Sequence, residues 1–138
     1  MQQTQSGGCL CGAIRYRTIG TPKRTTVCHC TFCQRLTGSA FAVWSAFETH
    51  NVGFEGEARS SYEHRSDESG RWLRLEFCPR CGTTIGSTFE RGAGLYAIAA
   101  GTYDDTSWIA VDRHVWTRSA QHWVEIPPGA VRFEKEPR

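Results

Sequence analysis

Seven cysteines in a chain of 138 residues, grouped as Cys9-x-Cys11, Cys28-x-Cys30-x-x-Cys33 and Cys78-x-x-Cys81, constrain this fold more than any other feature. An odd number cannot all close into disulfides, and thiols that are merely buried do not arrive in pairs and triplets. Spacings of one and two residues are those of metal ligands.

Cys78-Pro79-Arg80-Cys81-Gly82 has the form of a zinc knuckle. Two thiolates share one ion while backbone N–H groups beyond the proline turn back to the first sulfur. Pro79 falls where no donor is needed, and Gly82 supplies the positive φ that closes the turn. The pair needs two further ligands. Cys9 and Cys11, flanked by Gly7-Gly8 and Gly12, are its expected partners, because glycines let the backbone fold tightly around ligands one residue apart. Such a clip closes a long loop, where a metal helps a small domain most. Four sulfurs leave no open position, so this is expected to be a structural zinc site.

Cys28, Cys30 and Cys33 then form a compact set of three, and three protein ligands leave a fourth position for water or substrate, as in catalytic zinc sites. Thr31-x-x-Gln34 has the form of a capping box, so a short helix is predicted to start at Thr31 and end near Leu36 and Gly38. Cys33 would lie in its first turn, where the helix dipole favours a thiolate. Three thiolates make a weak Lewis acid, better suited to a thiolate or its carbonyl adduct than to generating hydroxide. A rival pairing joins Cys30 and Cys33 with Cys78 and Cys81 in a zinc ribbon and leaves Cys9, Cys11 and Cys28 as extras; spacing alone leaves it open. Deaminase chemistry is excluded, because no cysteine has Glu two residues later. His50, His64, His114 and His122 are isolated and read as surface or core residues. His29, between two cysteines, reads as a surface residue or as a support for the ligands around it.

The length is that of one domain, 1–138, and 22% charged with 39% hydrophobic residues is a globular composition. No apolar run approaches the roughly 20 residues of a membrane span. The first six residues lack the basic and apolar regions of a signal peptide, so a cytoplasmic location is expected. Lysine and arginine are scattered, which argues against nucleic acid as a partner despite five tryptophans.

Short alternating segments at 13–19, 41–47, Ser60–Arg65, Trp72–Phe77, 95–100, 112–118 and 122–126 predict strands, separated by glycine and proline breaks that include Gly53 and Gly56. The expected class is all-β with one short helical turn after the Cys-x-Cys-x-x-Cys segment. Phe41 and Trp44, just beyond that helix, are candidates for pocket walls or core.

The segments GGCLCGAIRY, CHCTFCQRLTGSAFAVW, FCPRCGTTIG, AGTYDD and RHVWTRSAQHWVEIP resemble, in their order, the glutathione-dependent formaldehyde-activating enzyme and centromere protein V-like family. The resemblance covers nearly the whole chain. It implies a β-tent of two antiparallel sheets leaning together and two zinc ions per chain. The structural zinc would lie on Cys9, Cys11, Cys78 and Cys81, and a catalytic-type zinc on Cys28, Cys30 and Cys33. It also implies carbon–sulfur lyase chemistry on a thiol–aldehyde adduct such as S-hydroxymethylglutathione, with a small-molecule thiol as partner. Neither motif nor resemblance assigns a catalytic acid or base or a substrate-binding residue. Two readings of another class are a zinc-stabilised binding module and a redox or metal-responsive switch.

Overall fold

The computed structural model describes residues 3–67 and 69–137. Its strands are β1 (Thr4–Gly8), β2 (Ile14–Ile19) and β3 (Arg24–Cys28), followed by α1 (Thr31–Thr37), the single α-helix among the described residues. Then come β4 (Ala42–Glu48), β5 (Val52–Gly56), β6 (Ser60–Arg65) and β7 (Trp72–Phe77). The last are β8 (Thr84–Phe89), β9 (Leu95–Ala99) and the short β10 (Arg113–Val115). They form a three-stranded sheet, β1-β2-β5, and a seven-stranded sheet, β10-β3-β4-β9-β8-β7-β6. All pairings are antiparallel except that of β10, which runs parallel to β3. The fold is all-β.

The main core lies between the sheets. From the smaller sheet β2 turns in Ile14, Tyr16 and Thr18, all nearly inaccessible, while Arg15 and Arg17 face outward. From the larger sheet come Phe47 of β4 and Tyr96 and Ile98 of β9, which meet in register. Tyrosines can be buried here because each hydroxyl has a partner: Tyr16 with Thr102 at 2.7 Å, Tyr103 with Thr18 at 3.2 Å, Tyr96 with Glu76 at 2.8 Å. Burial pushes all three phenols up, so they stay protonated. Gly7 is required by close approach, since a Cβ there would stand 2.3 Å from the Tyr16 hydroxyl.

Strand alternation gives the larger sheet a second face. Phe47 and Ile98 point to the main core, so Ala42, Trp44 and Ala46 of β4, with Ala97 and Ala99 opposite on β9, point away from it. Cys28 pairs with Ala42 and shares that face. A second apolar cluster forms there, of Cys28, Cys33, Ala42 and Val115, with Cys30, Phe32, Trp44 and Trp116 packed against it.

The strands predicted at 13–19, 41–47, Ser60–Arg65, Trp72–Phe77 and 95–100 are β2, β4, β6, β7 and β9. Three expectations need correction. Residues 112–118 hold only the three-residue β10, because Trp116 adopts φ 56° and bends the chain into a 3-10 turn at Thr117–Ser119. Residues 122–126 form no strand; Val124 N–H closes a turn on the Gln121 carbonyl. Gly53 and Gly56 are not breaks but lie in β5. Four strands were not predicted: β1, β3, β5 and β8. β1 reads Thr-Gln-Ser-Gly-Gly, has no apolar periodicity, and is a strand only because β2 supplies a hydrogen-bonding edge.

Candidate metal centres

The seven sulfurs gather into two groups. Cys9, Cys11, Cys78 and Cys81 bring their sulfurs within 4.8 Å of one another, and so do Cys28, Cys30 and Cys33. The ribbon grouping does not form, since Cys30 and Cys33 meet Cys28 rather than the knuckle. None of the histidines joins either group among the described residues.

The four-sulfur group is joined to the main core, of which Cys9 and Cys78 are members. Cys9 and Cys11 follow β1 on a turn closed by Cys9 N–H to Ile14 O, with Gly12 at φ 83°. Cys78 and Cys81 follow β7 on a turn closed by Gly82 N–H to Cys78 O, with Gly82 at φ 77°. Backbone N–H groups already address the sulfurs: Ile14 donates to Cys9 at 3.3 Å and Arg80 to Cys78 at 3.4 Å. Hydrogen bonding from the Thr83 hydroxyl and backbone pulls the Cys81 thiol down to about 5. Four Zn–S bonds of about 2.3 Å place tetrahedral sulfurs about 3.8 Å apart. Cys9–Cys11 at 3.6 Å and Cys11–Cys78 at 3.8 Å fit that ion with little movement.

The three-sulfur group stands where β3 runs into α1. The helix starts at Thr31, the expected residue, but its cap lies one residue before Thr31 rather than at Thr31 itself. Cys30 is the N-cap and its sulfur accepts from Cys33 N–H at 3.3 Å, while Gly38 closes the C-terminus in the left-handed conformation. Gln34 makes no capping box. Its side-chain amide donates to the carbonyls of His29, at 2.8 Å, and Ser119, at 2.9 Å, tying the cysteine loop to the turn after β10. The favoured thiolate also differs from expectation. Hydrogen bonds from Cys28 and Cys33, with backbone N–H groups behind them, pull Cys30 down to about 3. The Cys30 sulfur in turn raises Cys28 to about 12. Cys33 is raised well above the thiol range by the same two neighbours and by burial. The charge settles on the helix cap, where N–H groups converge, rather than inside the first turn.

His29 is fully buried, with Nε2 at 3.0 Å from His114 Nδ1 and its ring edge-on to Phe41. Burial, then the neighbouring imidazole, lowers its pKa, so it stays neutral. Its Nδ1 is buried without a partner, which places the single ring proton on Nε2, facing His114, because an unpaired acceptor costs less than an unpaired N–H. His29 is therefore not a surface residue. It braces the cysteine loop against β10, and His114, read from sequence as an isolated histidine, is its partner. Phe41 and Trp44 are both half-buried, Trp44 against the three-sulfur cluster. Trp116 was missed altogether. Among the described residues it is the one non-glycine at positive φ, a backbone state costing about 1–2 kcal/mol. It packs its indole on the cluster in return.

Two sheets enclosing one core, with a four-sulfur and a separate three-sulfur cluster, define a small β protein able to hold two metal ions. Residues 4–119 match the model of the glutathione-dependent formaldehyde-activating enzyme family, and the chain belongs to that family. An uncharacterized lyase of Schizosaccharomyces pombe is 29% identical over 109 residues, spanning 79% of this chain and 75% of the yeast protein. A crystal structure of a Rhodobacter sphaeroides protein shares the fold, with a TM-score of 0.54 and 16% identity over 92% of this chain and 97% of that one. No described helix is long and apolar enough to cross a membrane.

Proposed function

We propose that the chain is a zinc-dependent carbon–sulfur lyase that makes and breaks the adduct of a small thiol and an aldehyde. The observation that carries this reading is the three-sulfur cluster. It has one ligand fewer than a closed site and is set apart from the main core, which the four-sulfur cluster helps to build. Cys9, Cys11, Cys78 and Cys81 would hold a structural zinc, and Cys28, Cys30 and Cys33 a second zinc with an exchangeable position. Zinc there would lower the pKa of a thiol bound to it and keep it ionised near neutral pH.

The chain's own residues do the rest. The Cys33 N–H and the helix cap hold negative charge at Cys30. Gln34 and the His29–His114 pair fix the loop so that its three sulfurs keep their mutual distances. Phe32, Trp44 and Trp116 limit water around them. In the lyase direction the adduct hydroxyl gives its proton to solvent and the oxygen lone pair forms the carbonyl. The carbon–sulfur pair leaves with sulfur, which takes up a proton from solvent. Nothing is oxidised or reduced. Membership of the family and the lyase relative support the reaction class. A small thiol is the partner this chemistry requires, and glutathione is the first to test.

The test is zinc content together with exchange NMR of formaldehyde and glutathione, cysteine or 2-mercaptoethanol, at pH values low enough that the uncatalysed reaction is slow. Two zinc ions per chain, and exchange that accelerates with native protein but not with Cys30→Ser, are expected. A fourth protein ligand filling the three-sulfur site, or unchanged exchange with every thiol, would refute the reading.

A further inference from the structure

On the face of the larger sheet that turns away from the main core lies a groove of about 370 Å³. Leu36 of α1, Phe41, Trp44 of β4 and Ala99, Ala100 and Gly101 at the end of β9 line it. The lining contains no lysine, arginine, aspartate or glutamate among the described residues, and its hydroxyls are confined to Thr37 and Thr84. The Thr37 hydroxyl is already committed to the Cys33 carbonyl at 2.8 Å. The groove adjoins the three-sulfur cluster, because Ala42 and Trp44 belong to both. Its volume is at the lower end of small-molecule sites, and its walls are those of an apolar ligand rather than of a charged peptide.

We infer that this groove holds a hydrocarbon group of the adduct, so that the substrate class is a hemithioacetal carrying an aliphatic or aromatic substituent. The inference rests on the thiol–aldehyde reading of the three-sulfur site and names what that site prefers. Formaldehyde with a charged thiol leaves the groove filled with water. An alkyl or benzyl group displaces that water from Leu36, Phe41 and Trp44 while the sulfur or oxygen stays at the cluster. The substituent can enter from either parent, the thiol or the aldehyde, and the apolar contact is the same.

Gly101 provides a clean perturbation. A Cβ built on it meets nothing within 4 Å, and its φ lies outside the left-handed region, so Gly101→Leu adds bulk at the groove's lining without straining the backbone. Gly101→Ala is the milder control should the larger side chain disturb folding. Both would be compared with native protein in zinc-loaded form for tryptophan fluorescence and with cobalt in the three-sulfur site for thiolate charge-transfer absorption. One titration series runs from ethanethiol to hexanethiol and benzyl mercaptan. The other keeps 2-mercaptoethanol constant and runs from acetaldehyde to hexanal and benzaldehyde.

Native protein is expected to tighten about two- to fourfold per added methylene in one series, which identifies the parent that brings the group. Gly101→Leu should flatten that slope, and Gly101→Ala should reduce it partly. Thiols that alter the cobalt spectrum with no chain-length dependence, or a slope that survives in Gly101→Leu, would overturn the groove and leave the lyase reading standing. If no thiol alters the cobalt spectrum, the reading of the site fails and the inference falls with it. A slope abolished by Gly101→Leu without accelerated exchange would support the groove and refute only the catalysis.

Discussion

Cys81→Ser and Cys30→Ser remove one sulfur each, yet the structure assigns them very different costs. The four-sulfur clip joins Cys11 to Cys78, 67 residues apart. Closing a loop of that length in the unfolded chain is worth about 4 kcal/mol in the chain-entropy relation for a cross-link, provided that the ion binds only the folded state. For 138 residues the unfolding entropy near 60 °C is about 0.3 kcal/mol/K, so losing the clip lowers Tm by about 14 °C. The three-sulfur set lies within six consecutive residues and ties no distant segments together. Cys30 is moreover a helix N-cap, a position where serine is among the preferred residues, so Cys30→Ser keeps the cap. Its cost should stay below about 1 kcal/mol, or about 3 °C. The assay is calorimetric unfolding in a zinc-buffered solution with metal content measured on the same samples. Each variant should lose one zinc per chain. Equal Tm shifts, or a larger shift for Cys30→Ser, would refute the division of the two centres into one that holds the fold and one that does not.

Three further outcomes follow from particular contacts. Gly82→Ala should destabilise by about 1–2 kcal/mol through its φ of 77° alone, since a Cβ there meets nothing within 4 Å, whereas Gly53→Ala, open and at ordinary φ, should be neutral or slightly stabilising; urea unfolding separates them. Tyr96→Phe removes the hydroxyl that donates to Glu76 at 2.8 Å and should cost about 1 kcal/mol, while the Arg59–Glu76 ion pair stays in place; a change below a few tenths would mean that water replaces the contact. Gln34→Ala frees the carbonyls of His29 and Ser119, and should cost about 1–2 kcal/mol and alter the cobalt spectrum of the three-sulfur site; an unaltered spectrum would mean that Gln34 does not position the loop.

The cysteine groups were legible in sequence because metal ligands on tight turns are local. Cys78-x-x-Cys81 with Gly82, and Cys28 to Cys33 before a short helix, carry their geometry in a few residues, and the backbone N–H bonds to Cys78 and Cys30 arise within those turns. Strands with apolar alternation, such as Ile14–Ile19 and Trp72–Phe77, were legible for the same reason. The tertiary structure decided what needed a partner from far along the chain. Thr4–Gly8 has no apolar signal of its own and becomes a strand through β2. Which cysteine carries the charge depended on three sulfurs and converging N–H groups meeting, not on helix position alone. His29 found His114 across 85 residues, and Gln34 found Ser119 across the same separation. The groove beside Trp44 arises from β4, β9 and α1 together. The physical reason is common to all of them. Turn chemistry and hydrophobic period act between neighbours in the chain, whereas hydrogen-bond partners, charge sharing and cavity walls are set by segments that packing brings together.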